Sequence, residues 1–531
     1  MHIRLIFKAN LKMKQNNIFP NLKYIFIAGS LILASCTSES DTAQVTSGDA
    51  QFASEYATSQ EYNQPVLQPP NGEPYNDTFF ENYGVNPRID TEDDFQSTFA
   101  LDVDTGAYTL GRGWINDGNK PSKDSVRVEE YVNYFDTGYA SPTNKPFSIF
   151  ADGGPTPFME NNNYQLIRVA VQSTQIDDSE RPDSNLTFVV DVSGSMSQEL
   201  PKVRSAMSKM MNELRPTDRV SIVTYGSDVE VLLPSTPISE PKNILNALNQ
   251  LESNGSTNAE AGLRLGYKEA SKNFQKDKIN RVILLSDGVA NVGATGADAI
   301  LETIRDASVD GIDLVTVGFG RGNYNDVMME QLANDGNGFY AFVDSEAEAK
   351  KLFSEDLTGT LLTVAKDAKI QVEFDEKSVE RYRLIGFENR SIADEDFRDD
   401  TVDAGEIGSG HTVTALYEVK LAEGVSDDTV LAKINLRWED PTSGKVSETN
   451  KLIKNSDLAD TYEETLPHFQ LASTVSAYAE LLRESYFATE NNVITYDQLS
   501  AEANRLADSS LRSDTNVVEF AELVDRVSSF E

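Results

Sequence analysis

The stretch "VVDVSGSMSQE", residues 189–199, decides how the middle of this 531-residue chain folds. An apolar run that ends at Val190 leads directly into Asp191, and Ser193 and Ser195 follow at every second position. Continuous apolar runs are typical of strands buried in a parallel sheet, and the loops after such strands carry ligand-binding groups. The stretch therefore predicts a buried strand that presents a carboxylate and two hydroxyls at its carboxyl end.

Strand-like and helix-like segments alternate regularly on both sides of this strand. Four further apolar runs, "RVSIVTYG", "RVILLSDG", "IDLVTVGFG" and "GFYAFV", are separated by segments with apolar residues at helical spacing. Apolar strands alternating with amphipathic helices favour a parallel sheet covered on both faces. We expect a doubly wound α/β domain with a mostly parallel sheet over residues 184–362.

Oxygen donors recur in three of the loops that follow these strands. Beside Asp191, Ser193 and Ser195, "NGSTNAEAGL" places Thr257 ahead of a helix, and "LLSDGVANVG" places Asp287 after an apolar run. Two carboxylates and three hydroxyls suit a hard divalent cation. Zinc is disfavoured, because no His or Cys ligand is at hand.

In this order and spacing, "DVSGSM", "GSTN" and "SDG" resemble the von Willebrand factor type A (VWA) domain with its metal-ion-dependent adhesion site, whose pattern is DxSxS, a distant Thr and a distant Asp. The resemblance implies a Rossmann-like fold and metal ligands at Asp191, Ser193, Ser195, Thr257 and Asp287. It implies Mg²⁺ as the expected ion, with Mn²⁺ or Ca²⁺ as alternatives. It further implies a non-enzymatic adhesion protein that binds a Glu or Asp of a protein partner through the metal.

Each of these residues also has a purely structural interpretation. Asp191 could cap the following helix, Ser193 and Ser195 could be turn residues, Thr257 could be an N-cap, and Asp287 could belong to an Asp-Gly turn. A chain with a vestigial metal site would be an envelope scaffold that uses its other regions. Both alternatives remain open from sequence.

Enzymatic alternatives have weaker support. "LDVDTG", with Asp102 and Asp104, partly resembles the nucleophile loop of haloacid-dehalogenase-like phosphatases, but Thr105 comes one place too early. A turn or a contact between domains is the alternative for these two residues. No GxSxG and no GxxxxGK[ST] motif occurs, which disfavours a serine hydrolase and nucleotide binding.

The charge of the chain excludes one class of partner. The formal net charge is −39. Phosphate attraction dominates sequence-independent binding to nucleic acids, and here that interaction would be repulsive. No nucleic-acid partner is expected.

The single cysteine, Cys36, ends a segment typical of a targeting signal. "NLKYIFIAGSLILASC" has a basic flank, a short apolar run and small residues before Cys36, and it resembles a bacterial lipoprotein signal. The resemblance implies acylation of Cys36, a membrane anchor, and a location in the envelope of a Gram-negative-type bacterium. Thr37, where Asp would imply inner-membrane retention, favours the outer membrane. A secretory signal with a free thiol is the alternative, and translation could start at Met13.

The remaining segments complete the predicted organisation. Residues 1–35 are expected to be the signal peptide, and residues 36–96 the acylated cysteine with a polar linker. A mixed α/β extension is expected over residues 97–183, a β-rich domain over 363–456 and helices over 457–531. The flanks resemble the extensions of bacterial envelope VWA lipoproteins. We hypothesise that the β-rich flanks pair into one sandwich-like body, with the α/β domain inserted through it.

Overall fold

The fold was analysed in a computed structural model of the chain. It describes residues 80–101, 104–159, 164–288, 304–305, 307, 311–321, 324–490 and 493–530. The predicted signal peptide, Cys36 and most of the linker lie outside the described residues, as does Asp102. The sequence also predicts a helix around Ile300 to Ile304, and most of it lies outside the described residues.

The central α/β domain is built on a six-stranded sheet. Its spatial order is β10-β9-β8-β5-β6-β7, and all neighbouring strands are parallel except β6 and β7. In chain order these strands are β5 (Ser184–Asp191), β6 (Arg219–Tyr225), β7 (Val229–Pro237), β8 (Ile279–Ser286), β9 (Asp313–Phe319) and β10 (Tyr340–Val343). The central strand β5 is buried along its whole length, which explains its continuous apolar sequence.

Helices cover both faces of this sheet. The described helices of the domain are α3 (Leu200–Glu213), α4 (Pro241–Asn249), α5 (Ala259–Lys272), α6 (Asp326–Asp335), α7 (Glu346–Lys350) and α8 (Leu357–Leu361). One apolar core includes Val203 and Met207 of α3 against Phe188 and Val190, and the core on the other face includes Leu263 of α5 against Val189. The doubly wound α/β prediction is confirmed.

Strands from both flanks form two further sheets. One has the order β1-β12-β14-β4-β3, and in the other β11 pairs with β2, β13 and β15, which in turn pairs with β16. Their bounds are β1 (Ile89–Asp90), β2 (Gln96–Ala100), β3 (Phe147–Gly154), β4 (Tyr164–Ser173), β11 (Thr363–Phe374), β12 (Val379–Ile385), β13 (Gly405–Gly408), β14 (Thr412–Leu421), β15 (Val430–Glu439) and β16 (Val446–Lys454).

The two sheets share one apolar core, so the flanks form a single sandwich. Val169 of β4, Tyr417 of β14, Val372 of β11 and Ile434 of β15 all belong to this core. The antiparallel pairs β4–β14 and β2–β11 join segments from before and after the α/β domain. The predicted insertion between paired β-rich flanks is therefore confirmed.

A helical layer packs on the sandwich. It comprises α1 (Gly106–Asn116), α2 (Val128–Asn133), α9 (Pro467–Leu482), α10 (Tyr486–Thr489), α11 (Tyr496–Ala507) and α12 (Thr515–Ser528). Val475 and Tyr478 of α9 pack with Tyr131 of α2, with Phe520 of α12 and with Leu416 of β14. The sequence predicts three C-terminal helices within residues 457–531; the structure confirms them, and the short α10 lies between the first two.

Two helical segments differ from the sequence prediction. Helix α1 was not predicted, because Gly106, Gly111 and Gly113 lower its intrinsic helix propensity. A Cβ at any of the three would clash, with Tyr340, Tyr131 and Arg321 respectively, so close packing explains the glycines. The spacing of apolar residues predicts one helix from Ser345 to about Leu362, whereas the structure divides this segment by a π-helical stretch, Lys351–Glu355.

No described helix combines the length and the apolar character that a membrane span requires.

Candidate metal site

The candidate ligands lie at the carboxyl edge of the central sheet. Asp191 is the last residue of β5, and Asp287 follows the last residue of β8, the parallel neighbour of β5. Ser193 and Ser195 lie in the loop between β5 and α3, and Thr257 lies in the loop before α5. Because parallel strands end at the same edge, the topology places these loops side by side.

Asp191 is fixed by hydrogen bonds to both carboxylate oxygens. Its Oδ1 accepts from the backbone N–H of Ser193 at 2.8 Å, and its Oδ2 accepts from the Ser286 hydroxyl at 2.9 Å. The side chain is fully buried, and burial raises its pKa, although the hydrogen bonds from Ser193 and Ser286 oppose the shift. The hydrogen bonds thus fix the orientation of the carboxylate but offset only part of the cost of burying its charge.

The two serines present their hydroxyls together. Ser193 Oγ and Ser195 Oγ lie 3.1 Å apart, with Ser193 buried and Ser195 exposed. The loop before α5 supports their backbone: Gly194 N–H donates to Gly255 O at 2.8 Å, and the Ser253 hydroxyl donates to Ser193 O at 3.0 Å. The site therefore has a rigid buried side and a side open to solvent.

Asp287 is the second acidic group of the site. Burial is the main reason that its pKa rises to about 7; the neighbouring Ser195 hydroxyl opposes this shift, and the charges of Asp191 and Glu199 reinforce it. The Asp287 side chain is close enough to Asp191 for their charges to interact. The geometry thus brings Asp191, Ser193, Ser195 and Asp287 together.

Thr257 is placed less directly. It is half-buried in the loop that supports Ser193 and Gly194, but no hydrogen bond joins its side chain to another described residue. The structure brings its loop to the site and shows no contact of its hydroxyl with the other four candidates. Its assignment as a ligand, like that of the other four residues, stays a prediction.

The structural alternatives for these residues can be compared with the observed caps. Asn258, not Thr257, caps α5, because Asn258 Oδ1 accepts from the backbone N–H of Ala261 at 3.2 Å. Helix α3 begins at Leu200 without a side-chain cap, so Asp191 does not cap it. Capping thus explains neither Asp191 nor Thr257.

Several neighbours of the site were not found by sequence reasoning. The Tyr225 hydroxyl, at the end of β6, is buried against Asp191 and Ser286 and makes no hydrogen bond of normal geometry with a described residue. Gly320 has φ of +75°, and a Cβ there would lie 3.0 Å from Glu199 and 3.5 Å from Asp287. Only Ser286, directly before Asp287 in "SDG", gave a local signal in the sequence.

The chemistry of this donor set fits a divalent cation. Neither Lys nor Arg is among the main groups that shift the pKa of Asp191 or of Asp287, and no described Lys or Arg forms an ion pair with either carboxylate. Within the described part of the chain, no three His, Cys, Asp or Glu side chains group so that they could hold a metal. Hydroxyls would therefore complete the ligand set around the two acids.

Asp104, the described acid of the loop "LDVDTG", has a structural role. Asp104 is buried; its Oδ1 accepts from the backbone N–H of Tyr340 at 2.8 Å, and its Oδ2 pairs with Arg390 at 2.7 Å. These bonds tie the N-terminal extension to β10 and to the C-terminal region. Asp104 makes the contact between domains that was the alternative to a phosphatase nucleophile.

Comparisons with known proteins agree with the fold. The von Willebrand factor type A domain family matches residues 185–355, a von Willebrand factor family matches residues 74–168, and a family described as the C-terminal part of the uncharacterised protein YfbK matches residues 359–530. VWA domains are in general interaction modules rather than enzymes, and they commonly bind a divalent metal.

Two curated relatives and one solved structure illustrate the similarity. The uncharacterised protein YfbK of Escherichia coli K12 is 36% identical over 437 residues, covering 77% of this chain and 74% of its own length. The uncharacterised protein sll0103 of Synechocystis is 25% identical over 307 residues, covering 56% of this chain and 69% of its own length. The solved von Willebrand factor type A protein from Catenulispora acidiphila has a TM-score of 0.42 at 14% identity, covering 72% of this chain and 90% of its own. The chain therefore belongs to the VWA domain family, in the group of bacterial proteins that includes YfbK.

Proposed function

We propose that this protein is a non-enzymatic binding protein that recognises an acidic group of a protein partner through a divalent cation. Mg²⁺ is the expected cation. The ligands would be Asp191, Ser193, Ser195, Thr257 and Asp287. Cys36 would carry the lipid that anchors the chain in the cell envelope, in the outer membrane rather than the inner.

One observation carries this proposal: two buried carboxylates lie together, and no described Lys or Arg forms an ion pair with either of them. Burying an uncompensated charge is costly, and proteins meet the cost with a counter-ion, a metal or a raised pKa. The raised pKa of Asp191 and of Asp287 is what such a site would have before a cation enters. A cation from solution would remove the repulsion and favour both charged forms.

The roles of the residues follow from their positions. Asp191, held by Ser193 N–H and Ser286, and the buried Ser193 would form the fixed inner side of the site. The exposed Ser195 lies on the side that a partner can reach. A bound divalent cation would supply an electrophilic centre, and because hydroxyl ligands carry no formal charge, it would keep enough positive charge to attract a carboxylate.

The sequence around Cys36 supports the lipid anchor. The apolar run before Cys36 is too short for a permanent membrane span, and a polar linker separates Cys36 from Phe80, where the described part begins. A linker of this composition would let an anchored protein present the VWA domain at a distance from the lipid surface. Mass spectrometry of the membrane-extracted protein would detect a lipid on Cys36, and an unmodified thiol would contradict this part.

Calorimetric titration of Mg²⁺ and Mn²⁺ into the metal-stripped protein tests the metal site. We expect about one ion per chain, with binding abolished in the double variant Asp191→Ala, Ser193→Ala. The matched control is Asp177→Ala, Ser179→Ala, because Ser179 N–H donates to Asp177 Oδ1 at 2.9 Å in an exposed turn of the same local pattern. If both variants bind the ions as the wild type does, the assignment of the metal site is wrong, and the envelope-scaffold alternative takes its place.

The recognition of a carboxylate needs a separate experiment. A phage-displayed library of random peptides would be selected on the immobilised chain, in parallel with Mg²⁺ and with EDTA. We expect the peptides enriched only with Mg²⁺ to share an Asp or Glu at one position. Enrichment without any acidic preference would contradict carboxylate recognition.

A further inference from the structure

A groove of about 370 Å³ lies beside the candidate metal site, between helix α1 and the α/β domain. We call it the α1 groove; the residues that matter here are Trp114 and Asp117 from α1 and its end, Glu199 and Lys202 from the start of α3, Arg321 after β9, and Asp344 after β10. One wall thus comes from the N-terminal extension and the other from the α/β domain.

The α1 groove is continuous with the metal site. Gly320 lines it, and a Cβ added there would lie 3.0 Å from Glu199 Cγ and 3.5 Å from Asp287 Cβ. Glu199 also lines the groove, so the groove reaches Glu199 and Gly320, and Gly320 lies next to Asp287. A chain that places a carboxylate at the metal would therefore have its neighbouring residues at the mouth of the groove.

The wall formed by α1 is held firmly against the α/β domain. Arg112 of α1 forms ion pairs with Asp344 at 2.6 Å and Glu348 at 2.8 Å, and all three side chains are nearly buried. The Arg321 guanidinium lies 5.5 Å from the centre of the Trp114 ring and pairs with Asp117, and Gly113 leaves the space that Arg321 occupies. Such a preformed wall loses little entropy on binding.

The charges that line the groove are already paired within the chain. Asp117 pairs with Arg321, Glu199 pairs with Lys202 at 2.9 Å, and Asp344 pairs with Arg112. A charged side chain entering the groove would have to compete with one of these pairs, whereas a neutral one would not. The half-buried Trp114 adds an aromatic surface, which favours apolar contact.

We propose that the α1 groove is a second subsite for the same partner: it binds a neutral, apolar side chain of the peptide segment whose acidic residue is bound at the metal. This inference rests on the proposed function. It makes the N-terminal extension part of the recognition surface, so that the metal site selects the acid and the groove selects its neighbour. Specificity would then depend on helix α1 as well as on the VWA domain.

The peptide selection described above tests the subsite when it is repeated with variants of the full chain. Trp114→Ala removes the aromatic wall, and Lys202→Glu reverses a charge at a partly exposed position outside the core. Leu245→Ala, at an exposed leucine of α4 that does not line the groove, is the control. Mg²⁺ titration of each variant is run first, and we expect affinities within threefold of the wild type.

We expect wild-type selections to show an acidic residue with an apolar residue at a fixed distance from it. Trp114→Ala should lose the apolar preference and keep the acid, Lys202→Glu should gain Lys or Arg at that position, and Leu245→Ala should match the wild type. If all four proteins select the same peptides, the groove is not a subsite for the partner, and the metal proposal is unaffected. If Lys202→Glu loses Mg²⁺ binding, the α1 groove is not a subsite separate from the metal site. Failure of wild-type enrichment with Mg²⁺ would instead overturn the proposed function.

Discussion

Two clusters of buried acids in this protein have different surroundings. At the junction of the extension, the α/β domain and the C-terminal region, the buried acids surround two arginines; we call this the junction cluster, and its members are Asp104, Arg127, Glu130, Asp326, Glu330 and Arg390. At the candidate metal site, Asp191 and Asp287 have no Lys or Arg among the main groups that act on their pKa.

The ion pairs of the junction cluster have a structural role. In the junction cluster Arg127 pairs with Asp326 at 2.5 Å and with Glu130, and Arg390 pairs with Glu330 at 2.5 Å. These bonds connect segments far apart in the sequence and hold the inserted domain in the sandwich body. Among the described residues Asp191 and Asp287 form no ion pair, and Asp191 joins β5 to β8 through its hydrogen bond with Ser286. Under the proposed function, these two acids are buried to hold a cation.

Removing Arg127 is the change with the largest expected effect on this comparison. Arg127→Met would leave Glu130 and Asp326 buried without their guanidinium, and we expect the free energy of unfolding to fall by about 3–5 kcal/mol. Urea unfolding followed by circular dichroism would measure it. Arg264→Met, at an exposed pair with Glu260 within α5, is the control and should cost about 0.5 kcal/mol or less. A loss below about 1 kcal/mol at Arg127 would contradict the role given to the junction cluster.

Glu130 should make the stability of the junction cluster depend on pH. Burial raises its pKa from 4.5 to about 7, opposed by Arg127 and reinforced by Glu330, Asp326 and Glu129. A carboxyl whose pKa is raised on folding stabilises the fold fully below about pH 4.5, and this contribution is lost as the pH rises through about 7. The difference in unfolding free energy between wild type and Glu130→Gln should therefore fall by up to about 3 kcal/mol from pH 4.5 to pH 8.

The test for Glu130 is urea unfolding of both proteins across this pH range. Taking the difference between them removes the titration of the other acids. A difference that stays constant with pH, or that rises toward pH 8, would contradict the raised pKa.

Removing the helix cap beside the metal site should have the smallest effect on stability. Comparing this variant with one at Thr257 distinguishes a structural residue from a metal ligand. Asn258→Ala removes the cap of α5, and we expect about 1 kcal/mol of lost stability with Mg²⁺ affinity unchanged. Thr257→Ala should do the reverse, lowering Mg²⁺ affinity about tenfold at nearly constant stability. Thermal unfolding and calorimetric titration of both variants measure this. An equal effect of both variants on stability alone would show that Thr257 is not a ligand.

The sequence predicted the elements that have regular patterns. The apolar strands β5, β6, β8, β9 and β10 were found because a parallel sheet buried on both faces needs continuous apolar runs. The candidate donors were found because each follows a strand end or precedes a helix. The sandwich was anticipated from strands on both sides of the α/β domain.

Features that depend on long-range packing were not accessible from sequence. Helix α1 was missed because its glycines serve close contacts with Tyr340, Tyr131 and Arg321, which only the folded chain brings near. Arg127 and Asp326 are 199 residues apart, and no local pattern could pair them. Tyr225 at the end of β6, Glu199 before α3 and Gly320 after β9 reach the site from three separate segments, so the sequence could not predict the α1 groove either.

The central claim is that Asp191 and Asp287 bind a divalent cation from solution. The dependence of stability on Mg²⁺ tests this claim most directly. Urea unfolding of the wild type and of Asp287→Asn would be measured in EDTA and at a saturating Mg²⁺ concentration. At about 100 times the dissociation constant, Mg²⁺ should stabilise the wild type by about 2.7 kcal/mol and leave Asp287→Asn nearly unchanged. In EDTA the variant should be at least as stable as the wild type, because it no longer buries an uncompensated acid. An equal response of both proteins to Mg²⁺, or a variant that is less stable in EDTA, would contradict the account.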